Sequence, residues 1–293
     1  MIYIHYTLDA ITFGCLFSLA ALGVGIVFGV MRLANFAHGE LIMIGSYAMY
    51  LLAFLPWPIT WILALCLVAF VAILTERVAF RWLRLAEPST LLIASFGVSI
   101  FLQNLVVVIY RTRARSVVLP GFVEKSISVL GVQVQVVSVM TIAITVGALL
   151  ALVAFFRRTS LGLQMRAAAE DFRMAQLTGT RANRVVASAF AISGLMACLV
   201  SILMTSRTAT ITPNMGLTPV LYAFCAVTIG GLGSLVGSAV GGFVVGFISV
   251  AMAALLPPSL SPYRDAFTFT AVIAILILRP QGLVSTVKIE ERV

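Results

Sequence analysis

Nine stretches of this chain are apolar for long enough to cross a lipid bilayer, and nothing else restricts its folding so severely. They lie roughly at 10–30, 34–55, 57–75, 90–110, 132–156, 186–206, 215–233, 235–256 and 263–278. A helix of about 20 apolar residues matches the hydrocarbon thickness of a membrane. Within that layer no water satisfies the backbone, so a spanning segment must be a helix or part of a closed barrel. Usage agrees with this: 61% of the 293 residues are hydrophobic and 10% are charged. An average soluble domain has about a quarter of its residues charged. The expected fold is all-α, a polytopic transmembrane bundle of about 8–9 membrane helices forming a single domain over 1–293. Nine full crossings place the two ends on opposite sides, whereas eight would require one run to be re-entrant.

The net charge of +9 belongs to topology rather than to nucleic-acid binding, because the basic residues are scattered through the gaps between apolar runs. If the 157–185 gap is cytoplasmic, Arg157, Arg158, Arg166, Arg173, Arg181 and Arg184 lie inside, joined by Arg32, Arg77, Arg81, Arg84, Arg279, Lys288 and Arg292. Arg111, Arg113, Arg115, Lys125, Arg207 and Arg264 then lie outside. This excess of basic residues inside favours an outer N-terminus and a cytoplasmic C-terminus, with only the Arg111–Arg115 cluster pulling against it. Pro56-Trp57-Pro58 and Pro257-Pro258 mark interfacial turns, since proline ends helices. Residues 1–10 lack Lys and Arg, so the first run is expected to remain as a membrane helix. Cys15, Cys66, Cys198 and Cys225 fall inside apolar runs without a CxxC pair, which reads as buried packing.

Several chemistries are excluded. Neither Lys125 nor Lys288 follows a glycine-rich turn, so the chain has no P-loop of its own. His5 and His38 cannot supply a multi-histidine metal site. No nucleophile–base set is visible. The chain is therefore expected to have no catalytic residues, metal or cofactor.

Four regions carry functional candidates. In the 157–185 gap, Arg166, Ala169, Glu170, Asp171 and Ala175 lead to Gly179. The pattern is a short helix with acidic residues near its start, Arg181 and Arg184 beyond its end, and a glycine where a C-cap belongs. Such a helix either docks into a partner or is an ordinary solvated loop helix, and the residues alone leave both open. The second region is Arg32 to Glu40. There Asn35, His38 and Glu40 either cap a helix in a hydrated inner turn or line a path, with His38 and Glu40 close enough in sequence to pair. Third, Gly233, Gly237 and Gly241 recur every four residues, as do Gly242 and Gly246, and Ala21, Gly25 and Gly29 repeat the spacing in the first run. That periodicity makes a smooth face for close helix packing. Fourth, Gln103 and Asn104 lie within an apolar run and are expected to hydrogen-bond between helices, with path lining as the minority reading. The gap at 111–131 is suited to a short hairpin or a surface loop.

At these same segments the chain resembles the high-affinity branched-chain amino acid ABC transporter permeases, specifically the shorter Liv-type permease. The matching residues are Asn35-Phe36-Ala37-His38-Gly39-Glu40, Gly45-Ser46-Tyr47, Glu76-Arg77-Val78-Ala79 and Phe101-Leu102-Gln103-Asn104. Further on come Arg166-Ala167, Ala169-Glu170-Asp171 to Gly179, Gly230-Gly231-Leu232-Gly233-Ser234, Gly241-Gly242 and Pro280-Gln281-Gly282-Leu283. Thr180 departs from the isoleucine usual after this glycine. The resemblance implies an inner-membrane importer subunit that works with a second homologous permease, two cytoplasmic ATPase subunits and an extracytoplasmic substrate-binding protein. It also implies that 166–181 is the segment docking into the ATPase. Related permeases carry urea and short amides, so cargo does not transfer with the resemblance. The rival of another class is a stand-alone secondary carrier or channel, expected to place broken helices or coupling-ion groups at the midplane.

Overall fold

Every one of the nine apolar runs forms a helix, but two of the nine fall short of crossing length. The structure, a computed structural model, describes residues 2–84, 86–123, 125–129, 132–177, 179–279 and 282–284. Lys288, Arg292 and the Pro280-Gln281 part of the closing motif lie outside them, as does Thr178.

In chain order the elements begin with α1 (Ile2–Met31), α2 (Ala37–Leu51) and α3 (Trp57–Thr75), which continues through a π turn (Glu76–Phe80) and a 3-10 turn (Arg81–Leu83). Next come α4 (Pro88–Tyr110), β1 (Arg115–Ser116), β2 (Ser126–Val129), β3 (Val132–Gln135) and α5 (Val136–Arg158). The central elbow is α6 (Ser160–Glu170) and α7 (Phe172–Leu177). Then follow α8 (Ala182–Thr208), β4 (Thr210–Ile211), α9 (Leu217–Gly230), α10 (Leu235–Leu255), a 3-10 turn (Ser261–Tyr263) and α11 (Arg264–Leu278).

Among the described residues, seven helices are long and apolar enough to cross a membrane. The runs at 34–55 and 215–233 instead yield α2, with 15 residues, and α9, with 14. At about 1.5 Å per residue each is about 21–22 Å long, too short to span. The expected bundle of about 8–9 membrane helices is thus made of seven helices of crossing length and these two shorter ones, and the cause of the shortening is local. α1 stops because Arg32 takes φ 51°, and α8 stops because Ala209 takes φ 52°. Left-handed backbone cannot continue a right-handed helix. An irregular segment then re-enters the bundle before the next helix starts. Hydropathy separates the runs at both breaks but does not show that the chain turns back into the bundle there.

The two re-entrant segments are related by position. α1 and α8 pack together at the centre. α10 covers α1 while α3 covers α8, and α9 rests on α1 while α2 rests on α8. The units α1–α2–α3 and α8–α9–α10 thus repeat one arrangement with opposite direction, as inverted repeats do. Irregular backbone inside a membrane protein must be satisfied by protein. Here Ser95 of α4 does this, receiving Phe36 N–H at 3.4 Å and donating to the Ala34 carbonyl at 3.1 Å.

Two small sheets qualify the all-helical expectation. β2 and β3 form an antiparallel hairpin that starts in the 111–131 gap and takes up the first four residues of the fifth run, with Ser126 opposite Gln135 and Val129 opposite Val132. β1 pairs with β4, placing Arg115 opposite Ile211. That second pairing ties the loop after α4 to the segment that feeds α9. Arg115 secures it, donating to Tyr50 Oη at 2.7 Å and lying 5.1 Å above the same ring.

Candidate functional site

The N-termini of α2 and α9 meet inside the bundle. Gly39 and Gly216 touch backbone to backbone, so closely that a Cβ on Gly216 would overlap the Gly39 carbonyl. Each glycine lies seven residues beyond the left-handed residue that ends the preceding helix, Arg32 or Ala209. The depth follows from neighbours. His38 Nδ1 lies 3.0 Å from Ser193 Oγ, eleven residues or about 17 Å along α8 from its start. On its other side His38 packs against Gly23, eight residues before the end of α1. α2 then runs to one end of the bundle and α9 to the other.

Around this junction Asn35, His38 and Glu40 are buried, not hydrated, while Arg32 is exposed. Asn35 is 2% exposed, His38 0% and Glu40 5%, which corrects the picture of a solvated inner turn. Asn35 Oδ1 accepts from Ala37 N–H at 3.2 Å and its carbonyl from His38 N–H at 3.2 Å. His38 and Glu40 do not pair. The histidine faces α1 and α8, while Glu40 Oε1 accepts from Ser99 Oγ of α4 at 2.9 Å. One helical step of 100° per residue separates two positions by about 200°, which sends them to opposite faces.

Side-chain contacts join α2, α4 and the start of α9 beside this junction. Gln103 Nε2 donates to Asn214 Oδ1 at 2.8 Å, bridging α4 to the segment before α9. Asn104 turns back and donates to the Ile100 carbonyl at 2.7 Å, so it joins no second helix. Phe36 stacks between Phe96 of α4 and Phe224 of α9, with ring centroids 4.1 and 4.4 Å away. Three stacked rings and two polar pairs, Glu40 with Ser99 and Gln103 with Asn214, thus tie α4 to α2 and to the start of α9. Sequence reasoning missed Ser99, Asn214 and the three phenylalanines. A signal was present in α4, where Ser95, Ser99 and Gln103 recur every four residues along one face.

The elbow between α5 and α8 differs from the single helix expected at 166–181. Glu170 ends α6 and Asp171 begins α7 by accepting Met174 N–H at 2.9 Å. The acidic pair thus sits at a break, rather than together at a helix start. Gly179 has φ 90° beyond the end of α7, and Thr180 N–H reaches back to the Ala175 carbonyl at 3.0 Å. Met165, Ala168 and Ala175 are buried, while Arg166, Glu170, Asp171, Met174, Leu177 and Gly179 are exposed; Ala169 lies half-buried. A cavity of about 480 Å³ separates the elbow from the end of α1, lined by Gly29, Arg32, Arg84, Glu170 and Asp171 among others. Next to it Arg84 makes a buried ion pair with Glu76 and donates to Asn183 at 2.6 Å.

The glycines divide by role. Gly237 and Gly241 abut the backbones of Gly230 and Ala226, pressing α10 onto α9. Gly25 faces Ser238, and Gly242 and Gly246 face Ser18 and Gly14 of α1. Gly29 only approaches the Gly233 carbonyl, at 3.9 Å for an added Cβ. Gly233 itself departs from the packing expectation. It precedes α10, has φ 89° and has open space where a Cβ would sit, so it serves the turn. Cys66 is exposed and Cys225 partly so, unlike buried Cys15 and Cys198, because α3 and α9 each keep an outward face.

A family model described as the branched-chain amino acid transport system permease component matches residues 6–277. The chain is 32% identical to the high-affinity branched-chain amino acid transport system permease protein BraD of Pseudomonas aeruginosa, over 99% of this chain and 98% of that protein. It is 30% identical to the LivH proteins of Escherichia coli K12 and Salmonella typhimurium, which carry the same description, over 99% of this chain and 97% of each. No solved structure gives a significant match.

Proposed function

This chain belongs to the branched-chain amino acid transport system permease family, and we propose that it is the membrane-spanning subunit of an ATP-driven ABC importer for branched-chain or related amino acids. It is a multi-pass membrane protein in the bacterial inner membrane, with the whole chain forming one permease domain. Its N-terminus is outside, and the end that bears the α6–α7 elbow is cytoplasmic. The partners are a second homologous permease, two ATPase subunits that hydrolyse the ATP, and an extracytoplasmic binding protein that delivers cargo.

The meeting of two short helices at Gly39 and Gly216, with Glu40 and the Gln103–Asn214 pair beside it, is the single observation that carries a transport role for this chain's own residues. Polar groups at membrane depth are costly and mark solute paths. Half-helices meeting inside a bundle are how transporters expose backbone dipoles to a solute. In this reading Glu40, Gln103 and Asn214 line the path, while Asn35, His38 and Asn104 hold its walls. The exposed Met174 and Leu177, with Arg166, Ala169, Glu170, Asp171, Ala175 and Gly179, form the surface and backbone frame that couple the ATPase to the bundle.

The test is reconstitution of the four-part assembly in proteoliposomes with its binding protein. Uptake of leucine, urea and short amides is followed with and without ATP. ATP-dependent leucine uptake is expected. Uptake of urea or amides alone would move the assignment to that branch of the family. Broken helices are also a mark of secondary carriers, so that reading has a specific observation behind it. Ion-gradient-driven flux by this chain without ATPase would establish it instead.

A further inference from the structure

We propose that the C-terminal end of α3, with the turns that extend it, holds an anionic phospholipid. The phosphate lies between Arg77 and Arg81, and an acyl chain runs along Phe70, Leu74 and Val78. The site needs only that the chain spans a membrane; the leaflet, cytoplasmic in the orientation proposed above, rests on that reading.

This segment has two distinct faces. Ala64, Val68, Ala72, Glu76 and Phe80 recur every four residues and are all buried. Val68 and Ala72 meet Gly194 of α8, and Phe80 lies against Phe190 of the same helix. Two positions further on, Phe70, Leu74, Val78 and Trp82 also recur every four residues and are all exposed, Trp82 at 85%. An offset of two residues is about 200° around a helix, so this apolar strip is turned away from the bundle and toward lipid.

Length sets the depth at which the strip ends. Trp57 starts α3 at the interfacial proline turn. Arg77 lies twenty residues later, about 30 Å along the helix. The hydrocarbon layer is itself about 30 Å thick. Arg77 and Arg81 are therefore at the level of headgroup phosphates, and the Trp82 ring is in the aromatic belt.

The charge of the two arginines is not spent within the chain. Glu76, the acid next to Arg77, is buried and already paired with Arg84. Arg77 and Arg81 are exposed and make no ion pair among the described residues. Two uncompensated guanidinium groups thus stand about one turn apart where the apolar strip ends. The guanidinium fork matches phosphate oxygens, and basic side chains at this level attract anionic lipids. A zwitterionic lipid brings its own cation, which the pair would repel. The positive-inside bias asks only for basic charge at this end; the exposed strip leading into the arginines adds the place for a lipid chain.

The test reads retained lipid by native mass spectrometry of the assembled transporter, released from nanodiscs of equal phosphatidylglycerol and phosphatidylcholine. Both leaflets carry both lipids, so the result depends neither on the orientation of the chain nor on transport. Retained phosphatidylglycerol is expected to exceed phosphatidylcholine roughly tenfold. Arg77→Gln combined with Arg81→Gln should remove most of that preference, whereas Arg157→Gln with Arg158→Gln, at the end of α5, should leave it. Assembly is checked by co-purification with the ATPase subunits. If the double variant does not assemble, Arg81→Gln alone should lower the preference several-fold. Equal retention by the parent and the Arg77 and Arg81 variants would overturn the site. An equal fall on neutralising Arg157 and Arg158 would overturn it too, by reducing the effect to the general charge of that end. A parent that retains no phosphatidylglycerol would also overturn it, with another subunit rather than lipid covering the strip.

Discussion

Gly39 and Gly216 occupy each other's missing side-chain space. A Cβ on Gly39 would lie 2.7 Å from the Gly216 carbonyl oxygen, and one on Gly216 would overlap the Gly39 carbonyl. The contact is reciprocal because both residues lead short helices related by inverted repetition. It fixes the depth at which the two irregular segments meet.

Alanine at either glycine is therefore expected to separate α2 from α9. Backbone cannot yield as a flexible side chain does, so the cost should reach at least the about 1–3 kcal/mol typical of overpacking. Thermal unfolding of the purified assembly should show Gly216→Ala as more damaging than Gly97→Ala, since Gly97 has open space around it. Equal midpoints for the two variants would refute the close contact.

Buried hydroxyls tie α2 to α8 further along. Ser46 Oγ lies 2.8 Å from Ser201 Oγ and receives the Thr205 hydroxyl at 2.9 Å. Removing Ser46 leaves buried partners unsatisfied, at a cost of about 1–3 kcal/mol. Ser46→Ala combined with Thr205→Val should cost clearly less than the sum of the single changes in a double-mutant cycle.

The Glu76–Arg84 pair makes a stronger prediction. Their side chains are 2% and 11% exposed, so neutralising one strands the other. Glu76→Gln should destabilise by about 3–5 kcal/mol, read as loss of assembled transporter after heating. A combined Glu76→Gln, Arg84→Met variant should recover a substantial part.

Coupling is tested at the elbow. Gly179 has φ 90°, a conformation that L side chains rarely adopt, and Gly179→Val should distort the end of α7. Asp171→Ala removes the acceptor for Met174 N–H, worth about 1 kcal/mol in a typical cap. Both variants, and charge reversal at Glu170, are expected to insert normally yet lower leucine uptake per ATP hydrolysed. Unchanged coupling ratios in proteoliposomes would place the ATPase contact elsewhere. Cysteines introduced near 120 and 170 should label from opposite sides of the membrane, with 170 reached from the cytoplasm.

The residues 32–40 show why reading the chain alone stopped short. Hydropathy separates the runs at 10–30 and 34–55, but the apolar Leu33, Ala34 and Phe36 give no sign that α2 begins only at Ala37, inside the bundle. The left-handed turn at Arg32 has no sequence mark, because arginine is not a residue that announces one. The same holds at Ala209. Gln103 was visible as a polar group in an apolar run, but its partner Asn214 lies 111 positions away. The two-residue pairing of β1 with β4 is likewise too short to leave a periodic signal.

By itself the sequence determined the membrane environment, the existence and order of nine helical segments, the absence of a P-loop and the family motifs. Those depend on local composition and spacing, which a bilayer reads directly through apolar length. Only the tertiary structure decided that two of the nine segments are short helices and that their N-termini meet at Gly39 and Gly216. The same packing turns His38 away from Glu40 and leaves Glu40 facing Ser99. These outcomes depend on backbone approach between residues far apart in the chain, and a glycine's sequence position does not say which backbone it will admit.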